Sequence, residues 1–171
     1  MKGLVNVLDF DHMYQTQLMF RDLDSEWIDC SDVVGANRYC ELQTLVEIKK
    51  RLFKRKKSSI TFIGNGNYHY VTYLLLSEIQ SPFTLVLFDH HTDMMASPSP
   101  SLISCGSRVL HAIKRLPMLK KVVMIGVRED LGKAIPEEYK KKASVFTTKE
   151  SQWDCNPHHQ PIYFAGNIFR E

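Results

Sequence analysis

The stretch TLVLFDHHTDMM, residues 84–95, joins an apolar run to a group of acids and histidines. The run from Thr84 to Phe88 has the length of a strand and is apolar after its first residue. Continuous apolar runs are typical of strands that are covered on both faces of a parallel sheet. Two aspartates and two histidines follow at once, so this stretch predicts a buried strand that ends in potential ligands.

Similar apolar runs recur along the chain, with helical segments between them. The predicted strands span residues 3–10, 59–64, 83–89, 121–127, 143–148 and 161–166, with a weaker candidate at 26–31. The predicted helices span residues 37–53, 70–79, 105–116 and 137–142. This alternation predicts an α/β fold with a mainly parallel sheet. Ligands bind such sheets outside the carboxyl ends of the strands, which is where the 83–89 strand places its polar residues.

The first predicted helix is the most regular one. Its apolar side chains recur at a spacing of three to four residues, as expected for one buried stripe, and Asn37 or Ser31 could cap its start. The stripe consists of Leu42, Leu45, Ile48 and Leu52.

Length and composition predict one soluble domain over residues 1–171. Of the 171 residues, 44% are hydrophobic and 24% are charged, as in ordinary globular proteins. No apolar stretch approaches the roughly 18 residues of a membrane span, and the N-terminus does not resemble a signal peptide. The four cysteines are scattered, which favours reduced thiols and a cytoplasmic location.

The net charge of +3 is too small to indicate a nucleic-acid partner by itself. Most of it comes from the run KKRLFKRKK, residues 49–57. At helical spacing these charges spread around a helix end, which is typical of a solvated surface. Neither a nucleic-acid partner nor a membrane is therefore expected.

The alternating residues Asp89, His91 and Asp93 form the first candidate site. In an extended segment, side chains two positions apart point the same way, so these three are predicted to share one face. Two carboxylates and an imidazole suit manganese, iron or zinc. From these residues alone, the alternative explanation is an ordinary loop in which one acid caps a helix.

A second motif, IGNGNYHY at residues 63–70, follows the preceding predicted strand. It is close to a GxGxxG phosphate loop, but His69 stands at the third glycine position and the Walker lysine is absent, so nucleotide binding is disfavoured. The glycines allow a sharp turn that delivers His69 to the start of a helix. An ordinary helix start is the alternative, but the acidic motif on a neighbouring strand favours a metal ligand.

Together, GNGNYH and FDHHTD resemble the first two metal motifs of the ureohydrolase family, the arginases and agmatinases, which run Gly-Gly-Asp-His and Asp-Ala-His-x-Asp. The resemblance assigns His69 to the first motif's metal histidine, and Asp89, His91 and Asp93 to the ligands of the second. It implies a three-layer α/β/α fold and a two-manganese centre. The implied reaction is hydrolysis of a guanidino-type C–N bond in a small molecule by metal-activated water.

The third metal motif of that family, Asp-x-Asp, is not matched. By spacing, Asn167 and Phe169 occupy the two aspartate positions, close to the end of the sequence. The chain is therefore expected to represent the front portion of the family fold, without its C-terminal part. An open sheet edge would favour pairing with a second copy, so a homo-oligomer is expected.

The substrate segment of arginases, Ser-Gly-Asn-x-His, is also altered. In SCGSRVLHAI, residues 104–113, a similar turn is present, but His111 is displaced from the family spacing and is predicted to face along a helix. His111 is a secondary catalytic candidate, and arginine is not assigned as the substrate.

Two other functions are open. The DHH sequence after an apolar strand also occurs in the DHH phosphoesterases, which use manganese to cleave phosphodiesters. Asp9 and Asp11 could serve that chemistry or could cap a loop, and the family's His-x-x-x-Asp-x-Asp segment is absent. The unmatched Asp-x-Asp motif favours instead a catalytically inactive binding or assembly module.

Charge balance predicts one manganese ion or a weakly bound pair, or an empty site, rather than a full two-metal centre. Two divalent cations would face only Asp89 and Asp93, which leaves about two positive charges uncompensated at a partly dry edge. Metal analysis of the purified protein, with and without added manganese, tests this. A tightly bound pair of ions in each chain would contradict it.

Overall fold

The computed structural model describes residues 5–53, 55 and 60–149. The chain divides into two compact units. The first comprises Met1–Leu74 with Ser97–Cys105, and the second comprises Leu75–Ala96 with Gly106–Glu171. A single domain over residues 1–171 stays a prediction.

The strands among the described residues are β1 (Val5–Asp9), β2 (Ser25–Asp29), β3 (Tyr39–Glu41), β4 (Ile60–Phe62), β5 (Phe83–Phe88), β6 (Leu102–Ser104), β7 (Leu119–Val127) and β8 (Ala143–Thr147). The α-helices are α1 (Leu18–Arg21), α2 (Leu42–Phe53), α3 (Thr72–Leu76), α4 (Arg108–Arg115), α5 (Glu129–Lys133) and α6 (Glu137–Lys140). Short 3-10 helices precede α3 and α4, at Gly66–Val71 and Cys105–Ser107.

Both units contain a three-stranded parallel sheet. In the first unit the strand order is β2-β1-β4, and in the second it is β5-β7-β8. The first unit also contains an antiparallel pair, β3 with β6. Helices connect the parallel strands, and the predicted α/β fold with mainly parallel sheets is confirmed.

The core of the first unit forms around β1. Its central residue Val7 packs with Tyr14 and Phe20, and Phe62 of β4 covers the same cluster. The rings of Phe20 and Phe62 meet edge to face with centroids 4.9 Å apart, a geometry that aromatic pairs prefer. The aromatic side chains that follow β1 therefore hold the carboxyl end of this strand in place.

The second unit is centred on β7. Its residues Val122, Met124 and Val127 are fully buried, whereas in β5 buried residues alternate with half-buried ones and the last residue, Phe88, is exposed. The apolar run in β5 is therefore covered less evenly than its sequence predicts. Its buried face keeps Leu85 and Leu87 in the core and carries the chain to Asp89.

The first predicted helix begins later than its apolar period suggests. Residues 37–41 are not helical: Arg38 has a left-handed φ of 65°, and residues 39–41 form β3. Neither Asn37 nor Ser31 caps α2, which starts at Leu42. The reason is a ladder of hydrogen bonds to β6, about sixty residues away in the chain, which outweighs the local helical preference.

The other boundaries are close to the predictions. The segments 70–79 and 105–116 form shorter α-helices, each preceded by a 3-10 turn, and 137–142 ends as a helix at Lys140.

The predicted strand at 161–166 lies outside the described residues, as do Asn167 and Phe169. Among the residues that are described, no helix has the length and apolarity needed to span a membrane.

The α2 stripe can be tested by a matched pair of truncations. Ile48 is fully buried, whereas Val46 on the same helix is 53% exposed. Ile48→Ala is expected to lower the free energy of unfolding by about 2–5 kcal/mol, because it leaves a cavity. Val46→Ala is the control and should change it by less than about 0.5 kcal/mol. Equal effects in urea unfolding would show that the stripe is not the buried face.

Candidate functional site

Asp89 stands at the carboxyl end of β5. Its backbone N–H donates to the carbonyl of Ile125 on β7 at 3.1 Å, which extends the sheet by one residue. The next residue on β7, Gly126, has a left-handed φ of 87°. The side chain of Asp89 is 1% exposed. The sheet therefore places a buried carboxylate at the edge where α/β proteins bind ligands.

The segment after Asp89 turns instead of continuing as a strand. The Asp89 Oδ1 atom accepts the backbone N–H of His91 at 3.0 Å, and Asp93 has a left-handed φ of 50°. The predicted extended geometry, with three side chains on one face, is therefore wrong. Asp93 is buried, whereas the side chain of His91 is 62% exposed, with its Nδ1 atom 3.5 Å from Asp89 Oδ1.

The turn brings the two carboxylates together. Oxygen atoms of Asp89 and Asp93 lie within 4.8 Å of each other. Arg108, the first residue of α4, reaches both of them. Its Nε atom donates to Asp93 Oδ2 at 2.8 Å, and its Nη2 atom donates to Asp89 Oδ2 at 3.3 Å. Arg108 is 4% exposed, so a buried guanidinium bridges two buried carboxylates.

Sequence reasoning missed Arg108. The residue lies in SCGSRVLHAI, the segment in which a catalytic histidine was sought. The available signal was a cation in the first turn of a predicted helix, where the helix dipole disfavours positive charge. A cation at that end needs a compensating partner, and here two acids provide it.

Backbone hydrogen bonds fix the start of α4 on the same loop. The carbonyl of Asp93 accepts the N–H groups of Val109 at 3.0 Å and Leu110 at 3.3 Å. The N–H of Met95 donates to the carbonyl of Gly106 at 2.9 Å. Because Asp93 caps the helix that begins with Arg108, its carboxylate and the guanidinium stay within reach of each other.

Burial dominates the electrostatics of the pair. Burial is the largest cause and the nearby charge of Asp89 acts in the same direction, so the pKa of Asp93 is raised to about 6 although the charge and hydrogen bond of Arg108 lower it. With both acids as carboxylates, the group contains two negative charges and one positive guanidinium. Its net charge is one negative.

The donor set fits one divalent cation. Carboxylate oxygens are suitable ligands for manganese, and Arg108 donates to one oxygen, Oδ2, of each aspartate. One divalent ion would give the group a net charge of about +1, and two ions would give about +3. The second ion does not fit, because nothing in this group compensates its charge.

In the first unit, a turn between β4 and α3 positions His69. Gly64 has a left-handed φ of 80°, and the side chain of Asn65 accepts the N–H of Asn67 at the start of the 3-10 helix Gly66–Val71. His69 lies half-buried in that helix. The glycine turn is followed by this short 3-10 helix, and His69 lies within it rather than at the start of a longer helix.

The β3–β6 pair holds this turn. The N–H of Arg38 donates to the carbonyl of Asn67 at 3.1 Å, and the Sγ atom of Cys105 contacts the same carbonyl at 3.0 Å. Tyr70 donates its hydroxyl to the carbonyl of Ala36 at 2.6 Å. That His69 ligates a metal together with Asp89, His91 and Asp93 stays a prediction.

The carboxyl end of β1 carries an aspartate–histidine pair. Asp9 is 5% exposed and accepts the backbone N–H of His12 at 2.8 Å and the side-chain amide of Gln15 at 2.6 Å. The Nδ1 atom of His12 lies 2.9 Å from Asp9 Oδ2. Asp11 accepts the N–H of Met13 and an amide hydrogen of Asn65. Both aspartates therefore cap this loop.

His111 lies on α4 and is half-buried. Burial lowers its pKa, and the charges of Arg115 and Lys114 lower it further. The catalytic role suggested for His111 stays a prediction.

The Asp9–His12 pair predicts a pH dependence. The hydrogen bond and charge of Asp9 raise the pKa of His12 above its ordinary value, so the pair stabilises the fold at low pH. That contribution is complete below the unfolded pKa and is lost as pH rises through the folded pKa. In an NMR titration, Asp9→Asn should lower the pKa of His12 and leave that of His111 unchanged. An unchanged His12 pKa would contradict the pairing.

Comparisons with known proteins show the family of this chain and the fold that it shares with a solved structure. A sequence model of the arginase family matches residues 6–154. An uncharacterised protein of Thermotoga maritima is 30% identical over 125 residues, which cover 73% of this chain and 49% of that protein. The crystal structure of a hypothetical agmatinase from Burkholderia thailandensis aligns with a TM-score of 0.52 at 17% identity, over 88% of this chain and 55% of the other. The structural likeness shows a shared fold, and this chain spans about half the length of both relatives.

Proposed function

Because this chain belongs to the arginase family, we propose that it supports metal-dependent hydrolysis of a C–N bond in a small guanidino compound. The observation that carries the proposal is the pair of buried carboxylates, Asp89 and Asp93, at the carboxyl end of β5. They stand in the motif that resembles the family's second metal motif. Buried acids are costly unless cations compensate them, and Arg108 supplies one positive charge against two negative ones, so the pair remains suitable for holding a metal cation.

Asp89 and Asp93 are the proposed primary metal ligands. His69 of the first motif and His91 of the second are proposed as further ligands. His91 lies beside Asp89 with an exposed ring, so a change of rotamer would reorient its nitrogen atoms. Manganese is the proposed metal. When bound, a divalent cation supplies Lewis acidity that lowers the pKa of a water molecule.

The protein's own groups position the reaction. The Asp93 carbonyl, bonded to the start of α4, fixes the loop that carries both acids. Arg108 donates a hydrogen bond to each carboxylate and so orients both of them. His111 is the proposed secondary candidate for moving a proton, since its lowered pKa keeps it neutral and able to accept one at neutral pH.

A catalytically inactive binding or assembly module is the second candidate. The contacts of Arg108 favour it, because they already satisfy one oxygen of each aspartate. A homo-oligomer and a cytoplasmic location belong to the proposal in either case.

An activity assay separates the two candidates. Release of urea from linear guanidino compounds of different chain length is measured with excess manganese, and bis(p-nitrophenyl) phosphate reports phosphodiester cleavage in parallel. Asp89→Asn and Asp93→Asn are expected to reduce turnover by at least about 10–100-fold, as loss of a metal-site group does. Asp130→Asn, an exposed aspartate on α5, is the matched control and should retain activity.

If no guanidino compound is hydrolysed at saturating manganese, the hydrolase proposal is wrong and the binding module remains. Cleavage of the phosphodiester alone would support the phosphoesterase alternative instead.

A further inference from the structure

We propose that Arg108 is a built-in cation that replaces one of the two metal ions at the Asp89–Asp93 pair. The inference rests on the proposed metal site and deepens it, since it concerns how many ions the site accepts and how tightly. Arg108 lies outside both motifs that led to the site.

The position of the guanidinium supports this role. Its Nε and Nη2 atoms donate to different carboxylates, at 2.8 Å to Asp93 and 3.3 Å to Asp89. One planar group thus joins two acids, which is the arrangement that a bridging cation gives. The side chains of all three residues are at most 4% exposed, so water compensates little of their charge.

Backbone hydrogen bonds hold Arg108 beside the acidic pair. Arg108 begins α4, and the N–H groups of the next two residues donate to the carbonyl of Asp93. The guanidinium therefore remains beside Asp93 as long as this end of α4 is folded. A metal ion can dissociate, but Arg108 keeps the acidic pair compensated at all metal concentrations.

Charge then limits what else the pair can bind. With Arg108 in place, a first divalent ion already makes the group positive, and a second one would add uncompensated buried charge. Without Arg108, the two carboxylates would neutralise one divalent ion fully. Arg108 is therefore expected both to lower the number of bound ions and to weaken the affinity for the first.

The test uses the full chain with Arg108→Gln, and Arg115→Gln as the matched control at the exposed end of the same helix. Thermal unfolding is followed with chelator and with manganese, and manganese binding is measured by calorimetry and metal analysis. In chelator, Arg108→Gln should lower the unfolding midpoint by about 10 °C, because two buried acids lose their partner. Manganese should restore most of that loss and should bind at least about tenfold more tightly than to the wild type.

Three results would overturn the proposal. They are a wild-type chain that binds two manganese ions tightly, an Arg108→Gln variant that manganese does not restore, and an Arg115→Gln variant with the same changes. If Arg108→Gln does not fold in chelator, folding in manganese supports the proposal and failure to fold in manganese overturns it.

Arg108→Lys is a second variant, which keeps the charge but loses the planar fork. It should bind no more manganese than the wild type, and a rise in its stoichiometry would overturn the proposal.

The hydrolase proposal is judged separately. It can fail in the urea assay while manganese still restores Arg108→Gln, and it can survive if the wild type binds two ions and is active.

Discussion

The guanidinium of Arg108 between the carboxylates of Asp89 and Asp93 is the interaction on which the second unit's site depends. Two acids with oxygens within 4.8 Å of each other and almost no solvent exposure would repel each other strongly without a cation. The same contacts connect the end of β5, the turn after it and the start of α4. Removing one member of such a buried network costs about 3–5 kcal/mol, because the others are left uncompensated.

This arrangement changes what family membership implies. The two-manganese centre expected from the ureohydrolase resemblance needs more negative charge than Asp89 and Asp93 provide once the positive charge of Arg108 is counted. On the charge of these three side chains, the pair favours one divalent ion over two. An aspartate pair can therefore persist in this chain for two reasons, as ligands and as partners of a structural arginine.

The first unit also has a buried aspartate at the end of a strand, Asp9 after β1, but hydrogen bonds rather than a buried arginine compensate it. Asp9 is buried there, and its oxygens accept hydrogen bonds from the loop that follows, including one from the exposed His12. In both units an acid at a strand end orders the next turn, and a residue with left-handed φ, His12 or Asp93, reverses the chain.

The sequence by itself determined the α/β class, most strand positions and the ureohydrolase family, which the family match confirms. Apolar runs and the two motifs are local patterns, so they can be recognised in the sequence without knowledge of the fold. Tertiary structure decided the start of α2, the β3–β6 pair and the turn that buries Asp89 and Asp93 but leaves the side chain of His91 exposed. It also decided the role of Arg108, fifteen residues after Asp93. Long-range hydrogen bonds and charge compensation depend on which distant groups meet in space, and the local spacing of residues does not predict those contacts.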